Sequence, residues 1–130
     1  MALNAISTTV RNAMCDALVD AIDVGSTDAT GDLSIWTAAF ATLLATPLFA
    51  NPAFGAAAAG VATASAITSE PSAPATGSAA VLRIRDRDNA AVVEGTVSTS
   101  GADLNLNTVS ITTADVVSIT DFATITMPAS

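Results

Sequence analysis

The chain has 130 residues, a length that fits a single domain with one modest hydrophobic core. It contains no His, no Lys and no Tyr, and its four Arg face 12 carboxylates, which gives a formal net charge of −8. Acid–base catalysis near neutral pH usually relies on His or on a Lys or carboxylate with a shifted pKa, and a nucleophilic Ser or Thr needs a neighbouring base. We therefore expect a protein that is not an enzyme and that uses no cofactor.

The charge also limits the partners that the chain can bind. Four Arg cannot offset the repulsion between 12 carboxylates and a phosphate backbone, so we expect no nucleic-acid binding. Anionic membrane surfaces are disfavoured for the same reason. A single cysteine permits no internal disulfide. The first residues have neither a basic region nor a sustained apolar run, so they do not predict a signal peptide.

An amphipathic helix is predicted over residues 7–24. Apolar side chains recur there at offsets 0, 3, 4, 7, 8, 11 and 12, at Val10, Ala13, Met14, Ala17, Leu18, Ala21 and Ile22. Ser7, Thr8 or Thr9 is suited to cap the start, and Gly25 lies where a C-terminal cap belongs. The polar side chains expected to face water are Arg11, Asp16, Asp20 and Asp23.

Two interpretations of this helix remain open. It packs on the β core of its own domain, which is usual for a short amphipathic helix, or it docks on a neighbouring subunit. On the second interpretation Val10, Met14 and Leu18 are candidate interface residues.

Beyond a loop at 25–32, the hydrophobic period changes from helical to alternating, which predicts strands. The predicted strands are 33–37, 42–50 with a break near Pro47, 61–67, 79–86, 91–97, 103–107, 109–111 and 116–127. Residues 87–90 form the turn of a hairpin, and 69–78 form a Ser/Pro/Ala connector. We expect one domain over 1–130, mainly β, with a body at 33–127. Its architecture is an antiparallel β-sandwich or a barrel-like sheet, preceded by the N-terminal helix.

Residues 33–69 contain no charged side chain. A membrane span would need about 20 consecutive apolar residues, and Pro, Asn and Gly interrupt this stretch repeatedly. We therefore predict no membrane crossing, and favour a surface buried between subunits, because interface cores are depleted in charge.

The densest polar cluster is Arg83, Arg85, Asp86, Arg87, Asp88 and Asn89. The spacing of its carboxylates resembles the start of a calcium loop, but the required Gly and distal Glu are absent, so no metal site is predicted. We favour a charged hairpin whose salt bridges run across the strands, for instance to Glu94, or to a partner subunit through Arg83, Arg85 and Arg87. Asp28, Asp32 and Asp103 could contribute to a metal site only if the fold brought them together.

Two other kinds of side chain have a structural and a functional interpretation. Cys15 flanks the helical stripe, and without His or Lys to lower its pKa it is expected to be a small apolar residue rather than a reactive thiol. The aromatic side chains are expected to anchor the core; they are Trp36, Phe40, Phe49 and Phe54. In the alternative interpretation, one or two of them anchor an interface, and Phe54 is the candidate.

Four segments resemble a family of small virion-associated proteins of tailed bacteriophages: 51–57 (NPAFGAA), 60–64 (GVATA), 99–108 (TSGADLNLNT) and 125–128 (ITMP). The helix and the following Gly- and Asp-bearing loop fit the family too, so the resemblance spans nearly the whole chain. Its motifs are structural rather than catalytic.

The resemblance implies a capsid decoration (cement) protein that stabilises the phage head by bridging major capsid protein subunits. It implies a homo-oligomer, with a trimer favoured, on the capsid surface of a virion assembled in the bacterial cytoplasm. Alternatives are a head–tail or tail accessory protein, and a receptor- or glycan-binding module displayed on the virion.

Overall fold

The computed structural model describes residues 4–120, 122 and 124–129, so the first three residues and part of the last predicted strand lie outside the description. One α-helix, α1, spans Thr8–Ile22, and a short 3-10 helix spans Ala38–Phe40. The described strands are β1 Asp32–Trp36, β2 Leu43–Ala45, β3 Val61–Thr63, β4 Gly77–Ser78, β5 Val81–Arg85, β6 Ala91–Ser98, β7 Leu104–Asn105, β8 Ser110–Ile111 and β9 Thr124–Thr126.

The largest sheet has five strands in the order β2-β1-β5-β6-β7 and curls into half a barrel. Its centre is antiparallel: β1 pairs with β5 over five residues, and β5 and β6 form the predicted hairpin. Among the strand pairs that the structure describes, β6 with β7 is the parallel one. The described residues also form two small antiparallel pairs, β3–β9 and β4–β8. The prediction of a mainly β protein with one N-terminal helix is therefore confirmed.

The buried side chains come from the helix, both faces of the central strands and the loops around them. The largest fully buried ones include Ile22, Leu33, Ile35, Leu44, Phe49, Ile84 and Leu104. Strand β5 alternates as predicted, with Leu82 and Ile84 buried and Arg83 and Arg85 on the other face. Asp32 and Ser34 are buried as well, so the opposite face of β1 is also covered.

The helix begins as expected but buries a different face. Ser7 caps it by accepting a hydrogen bond from the Val10 amide, and Gly25, with a φ of 121°, follows its C-terminal end. The buried helical residues are Cys15, Val19 and Ile22, whereas Val10 and Met14 are exposed. The predicted apolar stripe is therefore wrong as a core face, except at Ile22.

Polar helix residues explain this rotation, because they bind the backbone of the loop at 53–60. The amides of Ala53, Ala57 and Gly60 donate to the side chains of Asp23, Asp16 and Asn12, at 3.0, 2.7 and 2.7 Å. Arg11 Nη1 donates to the carbonyl of Ala59. Arg11, Asp16 and Asp23 thus lie against the protein rather than on the water-facing side predicted for them, and only Asp20 of that set is exposed.

Several predicted strands are shorter than expected. Within 42–50 only Leu43–Ala45 is a strand, within 61–67 only Val61–Thr63, and within 116–127 the described strand is Thr124–Thr126. In the rest of two of these predicted strands, Leu48 and Val117 form isolated β-bridges instead of continuous strand pairing. The predicted connector 69–78 ends in β4, because Gly77 and Ser78 pair with β8. Backbone pairing with distant segments decided these limits.

Candidate protein-interaction surface

The outer face of α1 forms one wall of an open apolar groove. We call this surface the helix groove; it is lined by Met14, Ala17, Leu18, Ala21, Val24, Asp86, Ala91, Val92 and Met127. The helix contributes the first wall, the start of β6 the second, and Met127 lies just beyond β9. Exposure is high for side chains of this type: Met14 is 41% and Val24 60% exposed. The groove is a place where an apolar partner would remove nonpolar surface from water.

Two of the predicted interface residues, Met14 and Leu18, line the helix groove. Val10 lies one turn earlier on the helix and is 49% exposed. Val24, Val92 and Met127 were not predicted as members of such a surface. The adjacent valines at 92 and 93 were a usable signal, because neighbouring strand residues point to opposite faces and both faces are then apolar.

Phe54, also proposed for an interface, lies in the core. It is 5% exposed, and its ring centroid lies 5.6 Å from that of Phe49 and 6.4 Å from that of Phe122. Tilted and edge-on aromatic pairs of this kind stabilise a core. Phe54 therefore supports the loop that α1 binds and is not accessible to a partner in this structure.

Arg83 is held on the sheet surface by two kinds of contact within the chain. Its Nη2 lies 3.2 Å from Glu94 Oε1, which is the cross-strand salt bridge predicted from the hairpin. Its guanidinium carbon lies 4.0 Å from the ring centroid of Phe40 and 5.8 Å from that of Trp36. Both rings are half-buried, and cation–π attraction holds the guanidinium over them.

Arg85 forms a buried, bidentate pair with Asp32 on the neighbouring strand. Arg85 Nε lies 2.8 Å from Asp32 Oδ1, and Nη2 lies 2.9 Å from Oδ2. Burial raises the pKa of Asp32, and the hydrogen bonds and charge of Arg85 oppose that rise. Because the guanidinium stays protonated at all accessible pH values, it is the group that keeps a carboxylate tolerable at this depth.

A small polar cleft lies beside this pair, lined by Asp28, Ala29, Thr30, Asp32, Thr46, Leu48, Arg85 and Asn89. The fold thus brings Asp28 and Asp32 to one place, whereas Asp103 lies elsewhere and accepts hydrogen bonds from Thr96. The cleft measures about 250 Å³, below the range common for ligand pockets. No group of three or more potential metal-ligating side chains occurs in the described part of the chain.

The remaining acids of the hairpin cap backbone amides. Asp86 Oδ1 accepts hydrogen bonds from the amides of Asp88 and Ala90 within the turn. Asp88 Oδ1 accepts from the amides of Ser26 and Thr27, and these bonds lower the pKa of Asp88. The hairpin tip is in this way fastened to the loop that follows α1.

Three further points concern Cys15, membrane crossing and Asp23. Cys15 is fully buried, and its Sγ lies 3.5 Å from the carbonyl oxygen of Ile125. Among the described residues, no helix has the length and apolarity that a membrane crossing requires. Burial raises the pKa of Asp23, an effect that the hydrogen bond from the Ala53 amide opposes.

The chain matches no protein-family model, and neither the curated proteins nor the solved structures contain a match to it. The helix groove is therefore the feature of the structure from which a function can be proposed.

Proposed function

We propose that this chain is a structural protein of a bacteriophage virion, a capsid decoration protein that stabilises the head by bridging major capsid subunits. The helix groove is the observation that carries this proposal. It leaves Met14 and Val24 exposed and Leu18 half-buried in one chain, and exposed apolar surface of this kind is typical of a protein-binding site. The resemblance to virion-associated proteins is the reason for proposing a phage head as the assembly that this surface contacts.

The loop beside the helix supports a role in protein contact. Its residues Gly55, Ala56, Ala58 and Ala59 are exposed, carry no charge and have side chains that lose little or no rotamer entropy on burial. Hydrogen bonds from the loop to Asp16 and Asn12 hold its backbone in place before any partner arrives. A preorganised, uncharged surface binds at a lower entropic cost than a mobile one.

The proposed role is mechanical and cooperative. In it the chain forms a homo-oligomer, a trimer by preference, on the outside of the capsid and contacts more than one capsid subunit. Many modest contacts, repeated over a shell, add up through multivalency. The net charge of −8 repels other particles and keeps the virions apart in solution.

The finer architecture belongs to the same proposal. Strand β9 faces β5 and β6 across a cavity whose lining includes Leu82, Ile84, Thr124 and Ile125. We infer that the β3–β9 pair acts as the second layer of a small sandwich. Such a layer closes the open side of the curled sheet.

The test combines the mass of the purified chain in solution with its binding to empty, expanded heads of its phage. We expect an oligomer that binds saturably to the heads. Val24→Asp places a charge in the helix groove and is expected to weaken binding at least tenfold, the effect of about 1.4 kcal/mol. Val116→Asp is the matched control, because Val116 is 67% exposed and lies outside the groove.

A chain that stays monomeric and does not bind the heads would contradict the proposal. So would equal loss of binding by both variants, because the groove would then have no special part in the contact. Saturable binding to host cells or sugars without affinity for heads would identify the receptor-binding alternative instead.

A further inference from the structure

We infer that the helix groove is the contact between two copies of this chain, which pair across a two-fold axis with their α1 helices antiparallel. The inference rests on the proposed function, because it names the partner that covers the groove in the homo-oligomer proposed there. The exposed loop at 55–59 then remains as the surface that contacts the capsid. The size and the charge of the side chains along the groove carry the inference.

The helical wall of the groove is self-complementary in size. A two-fold axis that crosses α1 between residues 17 and 18 places Met14 of one copy opposite Ala21 of the other, because both lie equally far from the axis. The flexible, exposed Met then packs into the space that a small side chain leaves. Next to the axis, Ala17 is exposed and small, so the two helix backbones can approach each other closely.

The groove carries an unpaired positive charge at the end where α1 begins. Arg11 lies one turn before Met14, and its guanidinium donates to two neutral acceptors, the carbonyl of Ala59 and Oγ1 of Thr8. Its Nη1 and the carbonyl of Met127 border the same point beside the Gly60 backbone, so Arg11 lies on the Met127 side of the groove. Among the described residues Arg11 has no carboxylate partner, so its charge is available to a second chain.

The end where α1 terminates is acidic. Asp86 lines the groove together with Val24, and Asp20 is exposed on the last turns of the helix. Oδ1 of Asp86 accepts hydrogen bonds from two backbone amides of the hairpin turn, and none of the described cations forms a salt bridge with this carboxylate. Arg87 also lies at this end, but the carboxylates outnumber it; they are Asp20, Asp23, Asp86 and Asp88.

Antiparallel pairing brings the basic end of each groove to the acidic end of its partner. Arg11 and Val24 lie equally far from the axis, so Arg11 of one copy comes to the end of the partner groove that Asp86 lines. Complementary charges of this kind select the orientation of a contact, and the antiparallel helix dipoles favour the same one. A parallel pair would instead place the two acidic ends side by side.

The symmetry of this contact decides the number of copies. Each chain uses the same surface, so the contact is complete after two copies and predicts a dimer, whereas the resemblance favours a trimer. Within the proposed function, loss of the dimer weakens binding to the heads because two linked copies bind more tightly than one.

The experiment uses the full chain and measures its mass by analytical ultracentrifugation and its register by cysteine cross-linking. We expect a dimer that dissociates on dilution. Ala17→Cys lies next to the axis and should give a disulfide-linked dimer on mild oxidation. Ala21→Cys should not, because the two copies of that position are about 10 Å apart along the helices. A mixture of Met14→Cys and Ala21→Cys should give the mixed dimer, and Cys15 stays in place because it is fully buried.

A charge variant tests the two ends of the groove. Asp86→Asn keeps the oxygen that accepts the amides of the turn but removes the charge, and it should weaken the dimer roughly two- to thirtyfold, as expected for two symmetry-related, partly screened ion pairs. Asp115→Asn is the matched control, since it removes a carboxylate outside the groove and should leave the dimer unchanged. The cross-linking pattern decides the question if Asp86→Asn does not fold.

A monomer at all concentrations, a trimer, cross-linking of Ala21→Cys alone as fast as that of Ala17→Cys, or equal effects of the two Asn variants would each overturn the inference. The proposed function fails separately. A dimer with the expected cross-links that does not bind heads contradicts the decoration role and leaves this contact intact. A monomeric chain that binds heads does the reverse.

Discussion

The pair between Asp32 and Arg85 offers the sharpest test of what stabilises the sheet. Asp32 is 4% exposed and the Arg85 side chain 15%, and the two residues are direct partners in the register of β1 and β5. Replacing Arg85 by Met leaves a carboxylate buried without its cation. Removing one partner of a buried pair costs about 3–5 kcal/mol, a third or more of the stability of an average small domain.

The double variant Asp32→Leu with Arg85→Met separates two explanations. If the cost arises from an unpaired buried charge, replacing both partners by apolar side chains of similar size should recover most of it, to within about 1–2 kcal/mol of wild type. If the cost arises from the geometry of the strands, the double variant should be at least as unstable as Arg85→Met. Glu94→Gln is the exposed-pair control and should cost at most about 1 kcal/mol.

Equilibrium urea unfolding, followed by Trp36 fluorescence and far-ultraviolet circular dichroism, measures these differences. Protein concentration is held constant across the variants, because self-association shifts apparent stability. An Arg85→Met variant that costs no more than Glu94→Gln would refute the reasoning, since burial would then have no effect on the strength of the pair. A change in the denaturant slope would show that the unfolded or native state had changed as well.

Three further predictions follow from other contacts. Folding lowers the pKa of Asp88, so its carboxylate stabilises the fold at pH values above the ordinary pKa of 3.8, and this stabilisation is lost as the pH falls through the lowered pKa. Asp88→Asn should therefore be less stable than wild type at neutral pH, and urea unfolding should show the difference in unfolding free energy shrinking in acid. Gly31→Ala should lower the unfolding free energy by about 1–3 kcal/mol, because the new Cβ would lie 2.6 Å from the Arg85 carbonyl; an unchanged thermal midpoint would contradict this. Asp16→Ala should cost about 1–2 kcal/mol by freeing the Ala57 amide, with Asp20→Ala as the control that changes stability little in the same assay.

The sequence predicted the central hairpin because its determinants are local. Alternation in β5, the turn residues at 87–90 and the apolar run of β6 indicate both strands within about 20 residues. Leu82 and Ile84 face the core as expected, and Arg83 pairs with Glu94 directly opposite it. Alternation of apolar and polar residues correctly predicts the buried face of a strand when one side of the strand is covered by the same domain.

The helix shows why other features escaped prediction. Periodicity identified an apolar stripe but could not show which side the protein covers, because that depends on a loop some 40 residues away along the chain. Asp16 and Asn12 bind the amides of that loop, and so turn a polar side of α1 inward. The Asp32–Arg85 pair joins residues 53 positions apart and gave no local signal either.

The division of acids on α1 connects the fold to the proposed function. Asp16 on α1 and Asp23 at its C-terminal cap are half-buried and accept hydrogen bonds from the amides of Ala57 and Ala53; leaving such an amide without a partner costs more than an ordinary hydrogen bond gains. With the helix in this rotation, Met14 is exposed and Leu18 half-buried, and both line the helix groove. Under the proposed function, a partner chain that covers these side chains would recover the energy of leaving them in water. The same hydrogen bonds that stabilise the single chain therefore create the surface by which it would join an assembly.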